Sequence, residues 1–167
     1  MKYLSDIEAN QLEMFLKARL KGNPREALLF LLALKTGARA SEILALRKVD
    51  LMVFQKSVQI SGLKGGNTRE IPLPSWLFTA LARYALTIEG DVIFTIGYER
   101  MVQLWYMWRT SRVNLHVLRH TFAVQLYKKT RDIRLVQQAL GHKSITSTEV
   151  YQKYVYTQQE LRKALCG

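Results

Sequence analysis

Six side chains stand out by type and spacing: Arg39, Lys64, His116, Arg119, His142 and Tyr151. His116-Val-Leu-Arg119 sets an imidazole and a guanidinium three residues apart, hence on one face of a helix whose buried stripe is Leu115, Leu118, Phe122 and Leu126. A solvated basic face has the same spacing, so this pair alone decides nothing. Arg39 says more. It lies between Gly37 and a short helical stretch, where its charge opposes the positive end of a helix dipole. An anion held between the guanidinium and the exposed N–H groups resolves that conflict, and phosphate is the anion such a pair suits. Glu42, one turn on, could orient Arg39, or the two could form a simple exposed ion pair of little energetic worth. Lys64 sits in the turn Gly62-Leu-Lys-Gly-Gly-Asn67. It could serve as a general acid if burial or neighbouring cations lower its pKa; otherwise it is a solvated turn lysine. Gly141 can cap a helix, holding His142 just outside it. Tyr151 follows on a helix begun by Ser144, about two turns in. Tyr151, Tyr154 and Tyr156 also fit as ordinary half-buried aromatics.

The whole chain supports a polyanionic partner. It has 167 residues, a net charge of +12 and 49% hydrophobic residues. Residues 1–99 contribute +3 and residues 100–167 contribute +9. Phosphate neutralisation by Lys and Arg releases counterions, so nucleic acid leads, with binding that weakens steeply as salt rises. An anionic membrane surface is the competing partner, but the basic residues are interleaved with apolar positions rather than massed on one amphipathic helix. A chain of about this length buries roughly 70% of its unfolded surface and folds without staples. The single cysteine, Cys166, can build neither a disulfide framework nor a Cys-based zinc site. The N-terminus reaches Asp6 and Glu8 before any apolar core, and the longest apolar run, Ala27 to Leu34, is 8 residues, which excludes a signal peptide and a membrane span. An intracellular setting is expected.

The elements that must carry these residues read as mainly α with a small three-stranded antiparallel sheet. Ser5-Asp-Ile-Glu8 is a capping box opening a helix over about 6–20. Asn23 as N-cap and Pro24 at the first position open a second, fully buried helix to about 34, ended by Thr36-Gly37. A short helix covers 40–46. Alternation over 49–54, 57–61 and 69–73 predicts the sheet, with Pro72 on an edge or at a strand end. Helices follow at about 75–87, 98–109, 115–128, 131–140, 145–154 and 157–165, with an extended piece at 91–95. No repeat or linker divides the chain.

In order along the chain, these pieces resemble the catalytic domain of the tyrosine recombinases, the phage integrase family. The first arginine box is similar to Thr36-Gly-Ala-Arg39-Ala-Ser-Glu42-Ile-Leu-Ala-Leu46. The hairpin lysine resembles Lys64, followed by Arg69 and Pro72-Leu73. The second box resembles His116-Val-Leu-Arg119-His-Thr-Phe122-Ala, the third Leu140-Gly-His142, and the nucleophile region Thr148-Glu-Val-Tyr151. The resemblance runs from about residue 3 to 156.

What the resemblance implies is a tyrosine recombinase catalytic-domain fold and a DNA-cleaving and rejoining enzyme. Tyr151 attacks a phosphodiester to give a 3′-phosphotyrosyl link and a free 5′-hydroxyl. Arg39 and Arg119 hold the non-bridging oxygens and stabilise the transition-state charge, and His142 donates a further hydrogen bond. Lys64 protonates the leaving oxygen, and His116 acts as base or as a positioning group for Tyr151. Neither cofactor nor metal is called for, since the cationic set supplies charge neutralisation. The partners implied are double-stranded DNA and further copies of the chain, four protomers joined on two duplexes through the tail at 157–165. Work on DNA in the cytoplasm of a prokaryotic, phage or mobile-element host cell follows, with no membrane partner. The expectation is one catalytic domain over 1–167, without the N-terminal DNA-binding domain usual in the family. Two other readings remain: a non-enzymatic regulator, since 131–153 also scans as helix, turn, helix, and a DNA relaxer sharing the chemistry without synapsis.

Overall fold

The computed structural model describes residues 2–63, 66–144, 146–154, 162 and 164–166. Lys64 lies outside the described residues, as does most of the tail helix expected at 157–165. Helix α1 (Asp6–Ala18) opens on the predicted capping box: Ser5 N–H donates to Glu8 Oε2 at 2.8 Å and Glu8 N–H to Ser5 Oγ at 3.2 Å. Helix α2 (Pro24–Thr36) begins at Pro24, although Asn23 makes no side-chain cap bond. Every residue from Ala27 to Leu34 is buried, because α2 is packed against α1 and against the later helices α4 (Ser75–Leu86), α5 (Tyr98–Trp108) and α6 (Val117–Thr130) at once. Phe30 at its centre meets Trp105 with ring centroids 5.3 Å apart.

Helix α3 (Ala40–Leu44) precedes a sheet of order β1-β2-β3, all antiparallel: β1 (Leu51–Met52), β2 (Ser57–Ile60) and β3 (Arg69–Pro72). Val58 faces Ile71 and Ser57 faces Pro72 across β2 and β3, so Pro72 is both on an edge strand and at its end. The first strand is shorter than the expected 49–54. Lys48–Asp50 forms a 3-10 turn held by Arg47 N–H donating to the Asp50 carboxylate at 2.8 Å, and Val49, Val53 and Phe54 are exposed. The alternating pattern there belongs to a turn. The extended piece at 91–95 pairs with the chain before the sheet: Arg47 and Val92 form a bridge, and Ile93 N–H donates to Leu46 O at 3.1 Å.

Helices α4 (Ser75–Leu86), α5 (Tyr98–Trp108), α6 (Val117–Thr130) and α7 (Ile133–Leu140) complete the scaffold. Arg131 ends α6 in the left-handed region at φ 56°, and Asp132 caps α7 by accepting from the N–H groups of Arg134 and Leu135. In place of one helix over 145–154 there is a short α8 (Thr146–Glu149) followed by a 3-10 helix, Val150–Tyr154. The main core surrounds α2. A second cluster contains Ala123, Val124, Tyr127, Val136, Leu140 and Tyr151, with Phe122 and Leu126 only partly buried against it. No helix among the described residues is long and apolar enough to cross a membrane.

Candidate active site

The site forms where α2 ends, α3 and α6 begin, and α7 turns into α8. Gly37 caps α2 at φ 65°, and a Cβ there would stand 2.3 Å from Phe122 Cδ1. Glycine is the residue that lets α6 approach this closely. The freed carbonyl of Gly37 is then used, accepting from Arg119 Nη1 at 2.6 Å. Arg119 Nη2 donates to Leu140 O at 3.0 Å and to His142 Nε2 at 2.9 Å. Arg119 is 3% exposed, so three acceptors fix its plane, and the guanidinium has N–H groups beyond those three bonds. Burial and the nearby Arg39 pull its pKa down to about 10, with Glu42 opposing, which leaves it charged near neutrality.

His142 follows from the way α7 ends. Gly141 is left-handed at φ 71°, and the His142 N–H returns to Gln137 O at 3.1 Å. A Cβ on Gly141 would lie 2.7 Å from both Arg69 Nη1 and Asn67 O. Burial, then Arg119, Arg39 and Arg69, hold the His142 pKa down to about 4. The ring is therefore neutral, and Arg119 can only donate, so Nε2 accepts and Nδ1 carries the proton to Thr148 Oγ1 at 2.7 Å. Both ring nitrogens are engaged within the protein, and the hydrogen bond to an anion expected of His142 requires one of these contacts to open.

Arg39 sits at the N-cap of α3 with extended backbone. The conflict between its charge and the helix end is met from within: Arg39 N–H donates to Glu42 Oε2 at 2.7 Å. Glu42 is 1% exposed, and its chief partner is Arg69, whose Nη1 and Nη2 fork onto the two carboxylate oxygens at 3.0 and 2.9 Å. The Arg39 guanidinium stands farther off, 3.6 Å from Glu42. Burial raises the Glu42 pKa, but the Arg69 fork and the Arg39 N–H outweigh it and hold the carboxyl below its ordinary range. Arg39, Ser41, Tyr98, His116 and Arg119 border a cavity of about 340 Å³. Gly66 and Asn67 reach the same place: Asn67 N–H donates to Gly141 O at 2.9 Å and a Cβ on Gly66 would lie 3.5 Å from Arg39 Nη1.

Tyr151 is 3% exposed. Burial raises its pKa against the pull of Arg119 and Arg39, so the phenol holds its proton near neutrality. Its hydroxyl pairs with His120 Nδ1 at 3.0 Å. His116, expected to serve Tyr151, is the N-cap of α6, exposed, and meets the His120 ring edge-on at 4.6 Å between centroids. Of the six singled-out residues, the structure thus gathers Arg39, His116, Arg119, His142 and Tyr151. The structure adds His120, Thr148 and Arg69 to them. The signal available for His120 was its place four residues after His116 and next to Arg119; Thr148 and Arg69 carried none beyond the motif.

Comparison with known proteins identifies the family and the fold. The profile of the phage integrase family matches residues 5–158. Tyrosine recombinase XerA of Thermococcus onnurineus is 32% identical over 154 residues, covering 84% of this chain and 54% of that protein. A crystal structure of XerA recombinase superposes with TM-score 0.75 at 26% identity, over 98% of this chain and 64% of the other. The catalytic domain of bacteriophage HP1 integrase shares the fold, with TM-score 0.72 at 24% identity, over 99% of this chain and 95% of that domain. The chain spans about half the length of the curated relatives it matches.

Proposed function

The chain belongs to the phage integrase family, and from that premise we propose that it is a site-specific recombinase that cleaves and rejoins double-stranded DNA through a phosphotyrosyl intermediate. The observation that carries the reading is the fixed guanidinium of Arg119. Three protein acceptors lock it beside the cavity that Arg39 and His116 share with it. Two guanidinium groups at one cavity suit the non-bridging oxygens of a phosphodiester and the charge that builds on them during displacement. Tyr151 is the nucleophile: its Oη bonds to phosphorus and the bond to the 5′ oxygen breaks. Lys64 protonates the leaving oxygen. His142 donates a hydrogen bond to the phosphate once its proton moves from Nδ1 to Nε2, as the phosphate takes over the Arg119 guanidinium. His116 borders the same cavity and orients the substrate side of the site. Strand exchange takes four protomers on two duplexes, linked through the segment at 157–165, and the work is done on DNA in the cytoplasm.

The test is covalent trapping in EDTA with nicked duplexes, comparing the parent with Tyr151→Phe after denaturation in detergent. An adduct from the parent that the variant lacks supports the reading. DNA binding without adduct from either protein returns the chain to the regulator class. Plasmid relaxation without a recombinant product indicates a relaxer.

A further inference from the structure

We propose that His120, rather than His116, takes the proton from the Tyr151 hydroxyl when that oxygen attacks. The inference rests on the strand-cleavage reading above and names a further catalytic residue for it. Three features of the structure support it. The first is contact: His120 Nδ1 lies 3.0 Å from Tyr151 Oη, and the rings are 5.8 Å apart between centroids. A general base has to reach the proton it removes, and this distance is within direct transfer. His116 meets the His120 ring instead.

The second is direction. Burial, then His116 and Arg119, hold the His120 pKa down to about 4, so the ring is neutral and offers a lone pair. Tyr151 is held above its ordinary value by burial, so it arrives protonated. The phenol therefore donates and Nδ1 accepts, with the imidazole proton on Nε2. The third is an exit. A cavity of about 380 Å³ lined by Lys2, Arg112, Asn114, His116 and His120 opens on the imidazole. The base touches the nucleophile and also borders space where a proton can leave.

The step balances. The Oη–P bond forms, the P–O5′ bond breaks, the phenolic proton ends on Nδ1, and the 5′ oxygen takes its proton from the general acid. Rejoining runs the same path backward, with imidazolium returning the proton to the departing phenolate. The imidazolium is disfavoured by burial and by His116 and Arg119 on α6, and Lys2 and Arg112 line the cavity it borders. That disfavour keeps the ring unprotonated before attack and drives the proton back on rejoining.

Two measurements on the full chain test the assignment. In nitrogen-15 spectra of histidine-labelled protein, His120 should be the Nε2–H tautomer, and Tyr151→Phe should move its Nδ1 resonance. An Nδ1–H tautomer indifferent to that substitution overturns the proposal without any DNA. Then single-turnover adduct formation is followed against pH on a library of nicked duplexes of randomised sequence. The parent should be flat from about pH 6 upward. His120→Asn, which keeps a polar atom near the Nδ1 position but cannot take the proton, should be slower by about 10²-fold or more and should climb with pH toward ionisation of Tyr151. A merely structural defect lowers the rate equally at every pH. A parent that forms adduct while His120→Asn matches its rate and profile overturns the His120 role alone. A parent that forms no adduct overturns strand cleavage, and the proton transfer with it.

Discussion

Glu42 and Arg69 form a buried forked ion pair that ties α3 to β3, with both oxygens of the carboxylate engaged at 3.0 and 2.9 Å. The same carboxylate accepts the backbone N–H of Arg39, and the same guanidinium donates from Nε to Ala139 O at 3.0 Å. One pair thus sets the position of Arg39 and of the end of α7 together, without facing the substrate itself. Removing one member leaves the other charge buried and alone, which costs about 3–5 kcal/mol. Glu42→Leu and Arg69→Met should each lower stability by that amount in urea denaturation, and the double variant should recover much of it. Arg69→Lys should fall between, since an ammonium cannot reproduce the fork.

Gly37 is expected to tolerate no side chain. An alanine must hold φ 65° and place its Cβ 2.3 Å from Phe122 Cδ1, with backbone strain alone worth about 1 kcal/mol or more. Movement here also shifts the carbonyl that anchors Arg119. Gly37→Ala should therefore lose about 2 kcal/mol or more and most of its adduct formation. Combined with Phe122→Ala, the loss in stability should be less than the sum of the two, because the clash is removed and the strain is not.

Acid should unfold the protein earlier than its carboxylates require. His120 and His142 are both held at about 4, against an ordinary 6.5, chiefly by burial. Between those values the unfolded chain binds protons that the folded chain refuses, so stability is full above 6.5 and falls as pH drops toward 4. Each histidine contributes a loss on the order of 2 kcal/mol. Glu42, whose carboxyl is held below its ordinary 4.5, adds its own loss only below that value. Denaturation midpoints measured from pH 7 to 4 should show the slope, and His120→Asn or His142→Asn should each remove part of it, His116, also held below its ordinary value by burial, retaining its own share.

Much of the site was legible before the fold was known, because its residues sit at chain punctuation. Gly37 and Gly141 end helices in the left-handed region, and Arg39 and His142 stand just past those ends, so capping rules located them. The partners were not legible. His120 and Tyr151 are 31 residues apart, Arg69 and Glu42 27, and Arg119 and Gly37 82; no local pattern encodes such pairs. The last helix also differs for a physical reason. Thr148, in α8, is buried toward His142, and Tyr151, in the 3-10 helix that follows, is buried toward α6, so the winding tightens between them. Periodicity of 3.6 misreads that segment. Similarly, Val49, Val53 and Phe54 alternate like a strand while facing solvent, since Lys56 at φ 49° closes a turn there.

Thr148 should be as important as its position is inconspicuous. Fully buried, it accepts from His142 Nδ1 at 2.7 Å, and His142 Nε2 accepts from Arg119 at 2.9 Å. A chain of two hydrogen bonds therefore connects the Arg119 guanidinium to the segment that carries Tyr151. Thr148→Val keeps the volume and removes the acceptor, stranding a buried N–H at a cost of about 1–3 kcal/mol. The neutral ring then gains by moving its proton to the other nitrogen, which sets an N–H against Arg119 and repels the guanidinium. Two readouts should follow: a changed His142 tautomer in nitrogen-15 spectra and slower adduct formation than stability loss alone explains. Thr148→Ser, which restores the hydroxyl and deletes only a methyl group, should return the tautomer and most of the rate. If valine and serine behave alike, the hydroxyl does not couple Tyr151 to Arg119, and Thr148 serves packing only.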